Sequence, residues 1–226
     1  MLSAGPPIGP TSAPLEASPL RDPLAAAAIP SGALCEEGVS LYVHLPFCVR
    51  KCPYCDFNSY AWTGQNLERH VTAVLAEARA RAEGLSPQTV FFGGGTPSFL
   101  PAPLLGHLLT ELHAITGFRD SAREVTLEAN PESFDAGRAD ACVRNGITRV
   151  SLGVQSLRAD VLAAYDRVHD ADAARRAFAV ARSAGFRRVN CDLIFAFPGQ
   201  DPVAWREDLL EVIGWGPEHL SCYELS

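Results

Sequence analysis

The strongest constraint on the fold of this chain is a regular alternation of short apolar runs with amphipathic segments, which starts at Leu41. Runs of strand length are separated by stretches in which apolar residues recur at helical spacing. Six repeats of this kind predict a parallel sheet, because parallel neighbours need a crossover connection, usually a right-handed one through a helix. The predicted strands are Leu41–Leu45, Thr89–Phe92, Glu124–Ala129, Val150–Val154, Val189–Phe195 and Leu220–Leu225.

The predicted helices lie between these strands. The first two are indicated by apolar residues at helical spacing, and charged residues occupy the other positions of the first. Gly146 and Gly185 follow two of the predicted helices, where a backbone with positive φ often ends a helix. The helical segments are centred on Leu67–Ala78 and Leu104–Leu112 and run near Asp135–Asn145, Ala171–Ala184 and Val203–Ile213.

Three successive predicted strands carry polar residues on one face and apolar residues on the other. A parallel sheet covered by helices on both faces would be apolar on both. Because side chains alternate along a strand, the polar face is predicted to line a cavity for a polar ligand, which favours a partial barrel over a doubly wound sheet. The alternative is that these residues sit at strand ends and face loops and water. The polar residues are Glu124, Thr126, Glu128 and Asn130, then Ser151, Gly153 and Gln155, then Asn190 and Asp192.

Composition separates a tail from this domain. Residues 1–38 contain seven of the 17 prolines and show no periodicity, so they are predicted to be a disordered tail, and 39–226 to be the folded domain. The segment fits neither a secretory signal nor a mitochondrial presequence. The net charge of −7 argues against nucleic-acid binding, and the absence of an apolar run near 18 residues argues against a membrane span.

Three of the seven cysteines are crowded into one loop after the first strand. Cys48, Cys52 and Cys55 have the spacing C-x3-C-x2-C, which suits a [4Fe–4S] cluster with one iron left open. Two alternatives remain: a zinc ion with His44 as fourth ligand, or a redox pair of Cys52 and Cys55 that would leave Cys48 unexplained. Four further cysteines have no such role: Cys35 in the tail is predicted to be a bystander, and Cys142, Cys191 and Cys222 to be buried packing residues.

Six segments carry a resemblance to a known family. They read LYVHLPFCVRKCPYCDFNSY, FFGGGTPSFL, VTLEANPE, RVSLGVQS, DRVH and VNCDLIFAFPGQ. In this order they resemble the coproporphyrinogen dehydrogenase-like branch of the radical S-adenosylmethionine (SAM) superfamily, which includes oxygen-independent coproporphyrinogen III oxidases and HemW-like heme chaperones. The resemblance implies a partial (βα)6 barrel of the TIM type, ending after strand six. It covers the chain from about Leu41 onward.

The resemblance also implies cofactors and the residues that bind them. Cys48, Cys52 and Cys55 match the cluster ligands, and SAM is expected to bind the open iron. The reduced cluster then supplies an electron that splits a C–S bond of SAM, chemistry that belongs to the cofactors. Glycines let the backbone approach a ligand closely, which suits the loop after strand two. The positions that match SAM contacts are Tyr42, Gly94, Gly95, Thr96, Glu128, Gln155, Arg167 and Asp192.

Two departures from the oxidase pattern bear on function. The oxidases have a further cysteine two positions after the third ligand, where this chain has Phe57. The sequence Cys-Asp-Phe-Asn-Ser therefore resembles the HemW side, which predicts a cytoplasmic heme chaperone that works with a heme-accepting protein. The alternative is an oxidase acting on a porphyrinogen. Both would need an electron donor, and heme is a further candidate ligand. Family members continue beyond the position of Ser226, so the chain is expected to represent only part of such a protein.

Overall fold

The computed structural model describes residues 38–225. Apart from Gly38, the segment predicted to be a disordered tail lies outside the described residues, as does Cys35. The strands in the described part of the chain are β1 (Ser40–Leu45), β2 (Phe47–Cys48), β3 (Tyr60–Ala61), β4 (Thr89–Gly94), β5 (Glu124–Ala129), β6 (Arg149–Gln155), β7 (Arg188–Phe195) and β8 (His219–Glu224).

Six of these strands form one parallel sheet in the order β1-β4-β5-β6-β7-β8, so each strand pairs with the next long strand along the chain. The two short strands β2 and β3 form a separate ribbon. With right-handed crossovers, a sequential order adds every strand on the same side and puts all connecting helices on one face. A doubly wound sheet would reverse its order part-way. The predicted partial barrel of six strands is therefore confirmed.

The structure contains the helices that periodicity predicts and two further short ones. Each predicted helix is present, and the side chains of Asn66, Asp135, Asp170 and Asp201 accept hydrogen bonds at the N-termini of four of them. Gly146 and Gly185 have positive φ, as predicted. Two short helices were not predicted, since neither is long enough to show a period. The helices are α1 (Leu67–Arg81), α2 (Ala102–Thr116), α3 (Phe118–Ser121), α4 (Ala136–Arg144), α5 (Ala159–Ala164), α6 (Ala171–Ala184) and α7 (Pro202–Gly214).

The hydrophobic core lies between the sheet and the helices. The apolar face of β5, β6 and β7 is buried there, as its alternation predicts. Leucines of α2 and alanines of α6 pack against it from outside, and small residues let α6 approach the sheet closely. The central sheet residues of this core are Val125, Leu127, Val150, Leu152, Val189, Cys191 and Leu193.

The opposite face of the sheet is polar and forms a connected network. Asn190 donates hydrogen bonds to Ser151 Oγ at 2.6 Å and to Asp192 Oδ1 at 2.7 Å, and Ser151 donates to the other oxygen of Asp192 at 2.9 Å. Ser151 and Asn190 are buried rather than exposed at strand ends. The polar residues therefore face the inside of the partial barrel, so the alternative that they face loops and water is wrong for these positions.

Two of the three scattered cysteines are buried in the core, and one is not. Cys142 and Cys191 are fully buried, as predicted. The prediction for Cys222 is wrong: it lies exposed on β8, which is an edge strand of the sheet in the described residues, so one side of it lacks a neighbouring strand. Within residues 38–225 no helix is both long and apolar enough to cross a membrane.

Candidate functional site

The cysteine loop leaves the end of β1 and is held in place by its backbone. Cys48 belongs to the short β2–β3 ribbon, where Trp62 N donates to Cys48 O at 2.8 Å. Cys52 and Cys55 follow in a tight turn, closed by a 3.1 Å hydrogen bond from Cys55 N to Cys52 O. Lys51 donates to Ser59 Oγ at 3.0 Å and bridges the two ends of the loop. These contacts fix the backbone of the loop around the three cysteines.

All three thiols line one cavity at the carboxyl ends of the central strands. The loops after parallel strands meet at this edge, which is where barrel enzymes place their chemistry. The cavity brings together the cysteine loop, the glycine loop after β4 and the polar ends of β5, β6 and β7. Its lining includes Cys48, Cys52, Cys55, Gly94, Gly95, Thr96, Glu128, Asn130, Ser151, Gly153, Gln155, Arg167 and Asp192.

The glycine loop after β4 packs directly against the start of the cysteine loop. Gly95 N donates to Leu45 O at 2.9 Å, and Thr96 N donates to Phe47 O at 2.9 Å. A Cβ on Gly95 would stand 2.5 Å from the carbonyl oxygen of Pro46, so no larger residue fits. Gly94 has a φ of +112°, which L side chains rarely adopt. Gly94 and Gly95 therefore serve a close packing of the two loops that larger residues would prevent.

Two carboxylates face the cavity from neighbouring positions of the polar sheet face. Burial, reinforced by the charge of Asp192, raises the pKa of Glu128 to about 7, against the opposing effect of a 3.3 Å hydrogen bond from Gly94 N. Burial also raises the pKa of Asp192, although hydrogen bonds from serine and asparagine oppose it. Negative charge on these two carboxylates is therefore costly, and a cationic ligand beside them would reduce that cost.

Gln155 reaches the cavity through an irregularity at the end of β6. The pairing of β6 with β7 shifts register between Gly153 and Gln155, and Gln155 has a φ of +65°. Bulges of this kind redirect a side chain and are common beside functional sites. A Cβ on Gly153 would lie 2.6 Å from Asn130 Oδ1 and 2.8 Å from Gln155 Nε2, so glycine makes room for both side chains.

Arg167 is a buried positive group of the cavity: its side chain is only 7% exposed, whereas that of Arg50, which also lines the cavity, is 52% exposed. Nη2 donates to Asn130 Oδ1 at 2.7 Å and to Gly153 O at 3.1 Å, while Nη1 lies 3.6 Å from Cys52 Sγ. Behind it, Glu132 Oε2 lies 4.0 Å from Nη2 and 3.4 Å from Nδ1 of the buried His169. Burial alone would raise the pKa of Glu132, but His169 and Arg167 bring it below its usual value. Arg167 is therefore a buried group at the cavity rather than a surface residue.

Comparison with known proteins assigns this chain to a family. Residues 42–212 match the model of the Radical SAM superfamily. The chain belongs to that superfamily. The match begins in β1 and ends in α7, so it includes the cysteine loop and every strand end that contributes to the cavity.

Several curated radical SAM relatives are heme chaperones. The chain is 40% identical to the heme chaperone HemW of Escherichia coli over 192 residues, which is 83% of this chain and 50% of that protein. It is 37% identical to the heme chaperone HemW of Haemophilus influenzae over 83% of this chain and 51% of that protein. The chain spans about half the length of these curated relatives.

Two solved structures are similar to this chain. Coproporphyrinogen III oxidase (HemN) from Escherichia coli, described as a radical SAM enzyme, matches with a TM-score of 0.74 and 27% identity over 84% of this chain and 44% of that one. The radical SAM methyltransferase TsrM from Kitasatospora setae matches with a TM-score of 0.63 at 15% identity, over 83% of this chain and 37% of that one, and so shows the shared fold alone.

The superfamily implies a [4Fe–4S] cluster and SAM, and the residues present fit them. Three thiols on one loop are the donor set of such a cluster. Within the described range, no group of three or more Cys, His, Asp or Glu side chains lies close enough together to hold one metal ion. His44 is also engaged elsewhere, because its Nε2 donates to Asn58 O at 2.9 Å. Arg167 Nε is buried and finds no acceptor in residues 38–225, so it is available to an anionic group.

The structure brings together most of the residues that the sequence singled out. The three cysteines and seven of the eight matched SAM positions line the same cavity. Tyr42 lies in an adjoining cavity that shares Gly94 and Glu128 with it, and its ring stacks on Phe91. Sequence reasoning placed Asn130 on the polar face that lines the cavity, but it assigned no site role to Glu132 or His169, although both lie within the quoted motifs VTLEANPE and DRVH.

Proposed function

We propose that this chain is the radical SAM part of a HemW-like heme chaperone, which holds a [4Fe–4S] cluster and SAM and delivers heme to an acceptor protein. The observation that carries the proposal is the cavity in which the three cysteines of the loop after β1 meet the ends of β4, β5, β6 and β7 or the segments that follow them. The identity of 37–40% to curated HemW proteins supports the chaperone role.

The cysteine loop is the proposed cluster site. Cys48, Cys52 and Cys55 would each bind one iron, and the fourth iron would face the cavity. When bound, the cluster supplies the electron for reductive cleavage of SAM. Thiolates of this kind persist in a reducing compartment, so the proposal places the protein in the cytoplasm, with an electron donor as a further partner.

The residues around the cysteines are proposed to bind and orient SAM. The glycine loop offers backbone groups at close range, with Thr96 beside it. Glu128 and Asp192 would receive the ammonium group or ribose hydroxyls, because a cationic or donor group relieves their buried charge. Arg167 would hold the SAM carboxylate through a charge-assisted contact. Tyr42 on the edge strand β1 and Gln155 at the end of β6 complete the proposed set.

Phe57 supports the chaperone over the oxidase. It stands at the position of the additional cysteine in the oxidase pattern, and it lines the cavity beside Cys55. The second candidate function is oxidative decarboxylation of coproporphyrinogen, which the likeness to the HemN structure favours. A porphyrinogen would then be the substrate in place of a heme cargo.

The cluster proposal is tested by anaerobic reconstitution of the whole chain with iron and sulfide. We expect about four irons and four sulfides per chain, since each cysteine ligates a separate iron and the fourth stays open. Alanine at Cys48, Cys52 or Cys55 should abolish retention, whereas the buried Cys142→Ala serves as the matched control. Zinc without iron and sulfide, or full cluster retention in the three loop variants, would contradict the proposal.

The chaperone role is tested separately by adding heme to the reconstituted protein. Stable heme uptake, seen as a shifted Soret band, followed by transfer to an apo-acceptor protein supports it. The same protein is incubated anaerobically with SAM, a reductant and coproporphyrinogen. Formation of protoporphyrinogen would show oxidase activity and would contradict the chaperone proposal.

A further inference from the structure

We infer that Asn130 is a positioning residue that aims two hydrogen-bond donors at two of the three cluster-binding sulfurs and thereby raises the reduction potential of the cluster. The inference rests on the proposed cluster site. Asn130 itself has no contact with a cysteine; it acts through Thr96 on one side and Arg167 on the other.

The orientation of the Asn130 amide follows from its partners. A guanidinium has donors only, so the atom of Asn130 that lies 2.7 Å from Arg167 Nη2 must be the carbonyl oxygen. The amide nitrogen therefore faces Thr96 and donates to Thr96 Oγ1 at 2.9 Å. One side chain thus accepts from the arginine and donates to the threonine.

This orientation decides what the Thr96 hydroxyl can do. Because its oxygen already accepts a hydrogen bond from Asn130, its own hydrogen is free to point elsewhere. Cys48 Sγ lies 3.4 Å from Thr96 Oγ1 and is the acceptor that the hydroxyl meets. Thr96 is only 3% exposed, so water offers no competing acceptor from outside. The amide of Asn130 therefore sets the direction of the hydrogen bond to Cys48.

On the other side, Asn130 fixes the arginine that meets Cys52. Nη2 of Arg167 is held by Asn130 Oδ1 and by Gly153 O, and this leaves Nη1 at 3.6 Å from Cys52 Sγ. The absence of a side chain at Gly153 is what lets Asn130 come this close. Asn130 N also donates to Ser98 Oγ at 3.3 Å, which anchors the backbone.

Hydrogen bonds and positive charge near cluster sulfurs favour the reduced state, because reduction adds negative charge that the sulfurs share. Donors on Cys48 and Cys52 should therefore raise the potential. Loss of the Thr96 donor should make the reduction potential of the cluster more negative. The conservative change Asn130→Asp separates the two branches: a carboxylate still accepts from Arg167, but it also accepts from Thr96 and turns the hydroxyl away from Cys48.

The test is a redox titration of the reconstituted whole chain, followed by electron paramagnetic resonance of the reduced cluster. We expect more negative potentials for Asn130→Asp and for Thr96→Val, and an unchanged one for Thr96→Ser. The double variant of the first two should shift by less than the sum, because both remove the same hydrogen bond. If the added charge of aspartate alone caused the shift in potential, the shift of the double variant would equal the sum of the two single shifts.

A matched control exists at the far end of the barrel. Asn145 accepts from a threonine hydroxyl at 3.0 Å and from Arg119 Nη2 at 2.7 Å, but it lies outside the cysteine cavity. Asn145→Asp should leave the potential unchanged. If Asn130→Asp fails to retain iron, Asn130→Ala takes its place in the same cycle.

The outcomes separate the two proposals. Additive shifts, or an unchanged potential in either Thr96→Val or the Asn130 variant, overturn the role of Asn130 while the cluster site stands. Failure of the unaltered chain to bind iron and sulfide overturns the proposed function and this inference together. Less-than-additive negative shifts, with an unchanged Asn145→Asp, support the inference.

Discussion

Glu128→Gln is expected to stabilise the protein without cofactors at pH 8 and to change its stability much less at pH 5. Glu128 lies half-buried on β5, near Asp192, and accepts one hydrogen bond of 3.3 Å from Gly94 N. Burial and the neighbouring charge raise its pKa from 4.5 to about 7. Glutamine keeps the shape and an oxygen that accepts from Gly94, but it carries no charge.

The size of the effect follows from the linkage between proton binding and folding. Between pH 4.5 and 7 the folded state holds a proton on Glu128 that the unfolded chain has released, so stability falls as the pH rises through this window. A difference between 4.5 and about 7 corresponds to about 3 kcal/mol when the window has been crossed. Between pH 5 and pH 8 the wild type should therefore lose roughly 2 kcal/mol relative to the glutamine variant.

The assay is urea unfolding of both proteins, free of cofactors, at half-unit steps from pH 5 to pH 8, with the difference in unfolding free energy plotted against pH. Glu77→Gln is the matched control, because it removes a carboxylate from the exposed surface of α1. A difference between Glu128→Gln and wild type that stays constant across this range would refute the reasoning, since it would show that ionisation of Glu128 costs the fold nothing.

Further expectations concern ligand binding and packing. SAM affinity of the reconstituted protein, measured by equilibrium dialysis, should increase with pH up to about 7 if Glu128 receives the SAM ammonium group. Asp208→Ala should cost about 3 kcal/mol in urea unfolding, because the buried carboxylate accepts three hydrogen bonds that hold α7 to the loop after β6. Gly153→Ala should cost about 1–3 kcal/mol in thermal unfolding, since its Cβ would meet Asn130 Oδ1 at 2.6 Å. Leu127→Ala, in the fully buried core, should cost about 2–5 kcal/mol by the same measurement.

Local patterns predicted the layers of this fold because they depend only on neighbouring residues. The alternation along β5, with Val125 and Leu127 against Thr126 and Glu128, assigns each side chain to a face through the period of the strand itself. Strands and helices predicted in this way lie within a few residues of the observed ones. The edge position of Cys222 had no such signal, since the exposure of β8 depends on whether another strand lies beside it and not on its own residues.

The short elements were missed for a different reason. The β2–β3 ribbon has two residues in each strand, and α5 has six, so neither shows a repeating pattern. The bulge at Gln155 likewise has no signature in the sequence. The ribbon nevertheless holds Cys48 in place, and the bulge turns Gln155 into the cavity.

By itself, the sequence determined the six strand–helix repeats, their polar and apolar faces and a cysteine spacing suited to an iron–sulfur cluster, because each depends on residues close together in the chain. Only the tertiary structure decided which residues meet. Asn130 contacts Thr96 across 34 positions and Arg167 across 37, and neither separation has a period that a sequence could display. Those contacts form because parallel strands in sequential order bring their carboxyl ends to one edge, where the loops that follow them converge.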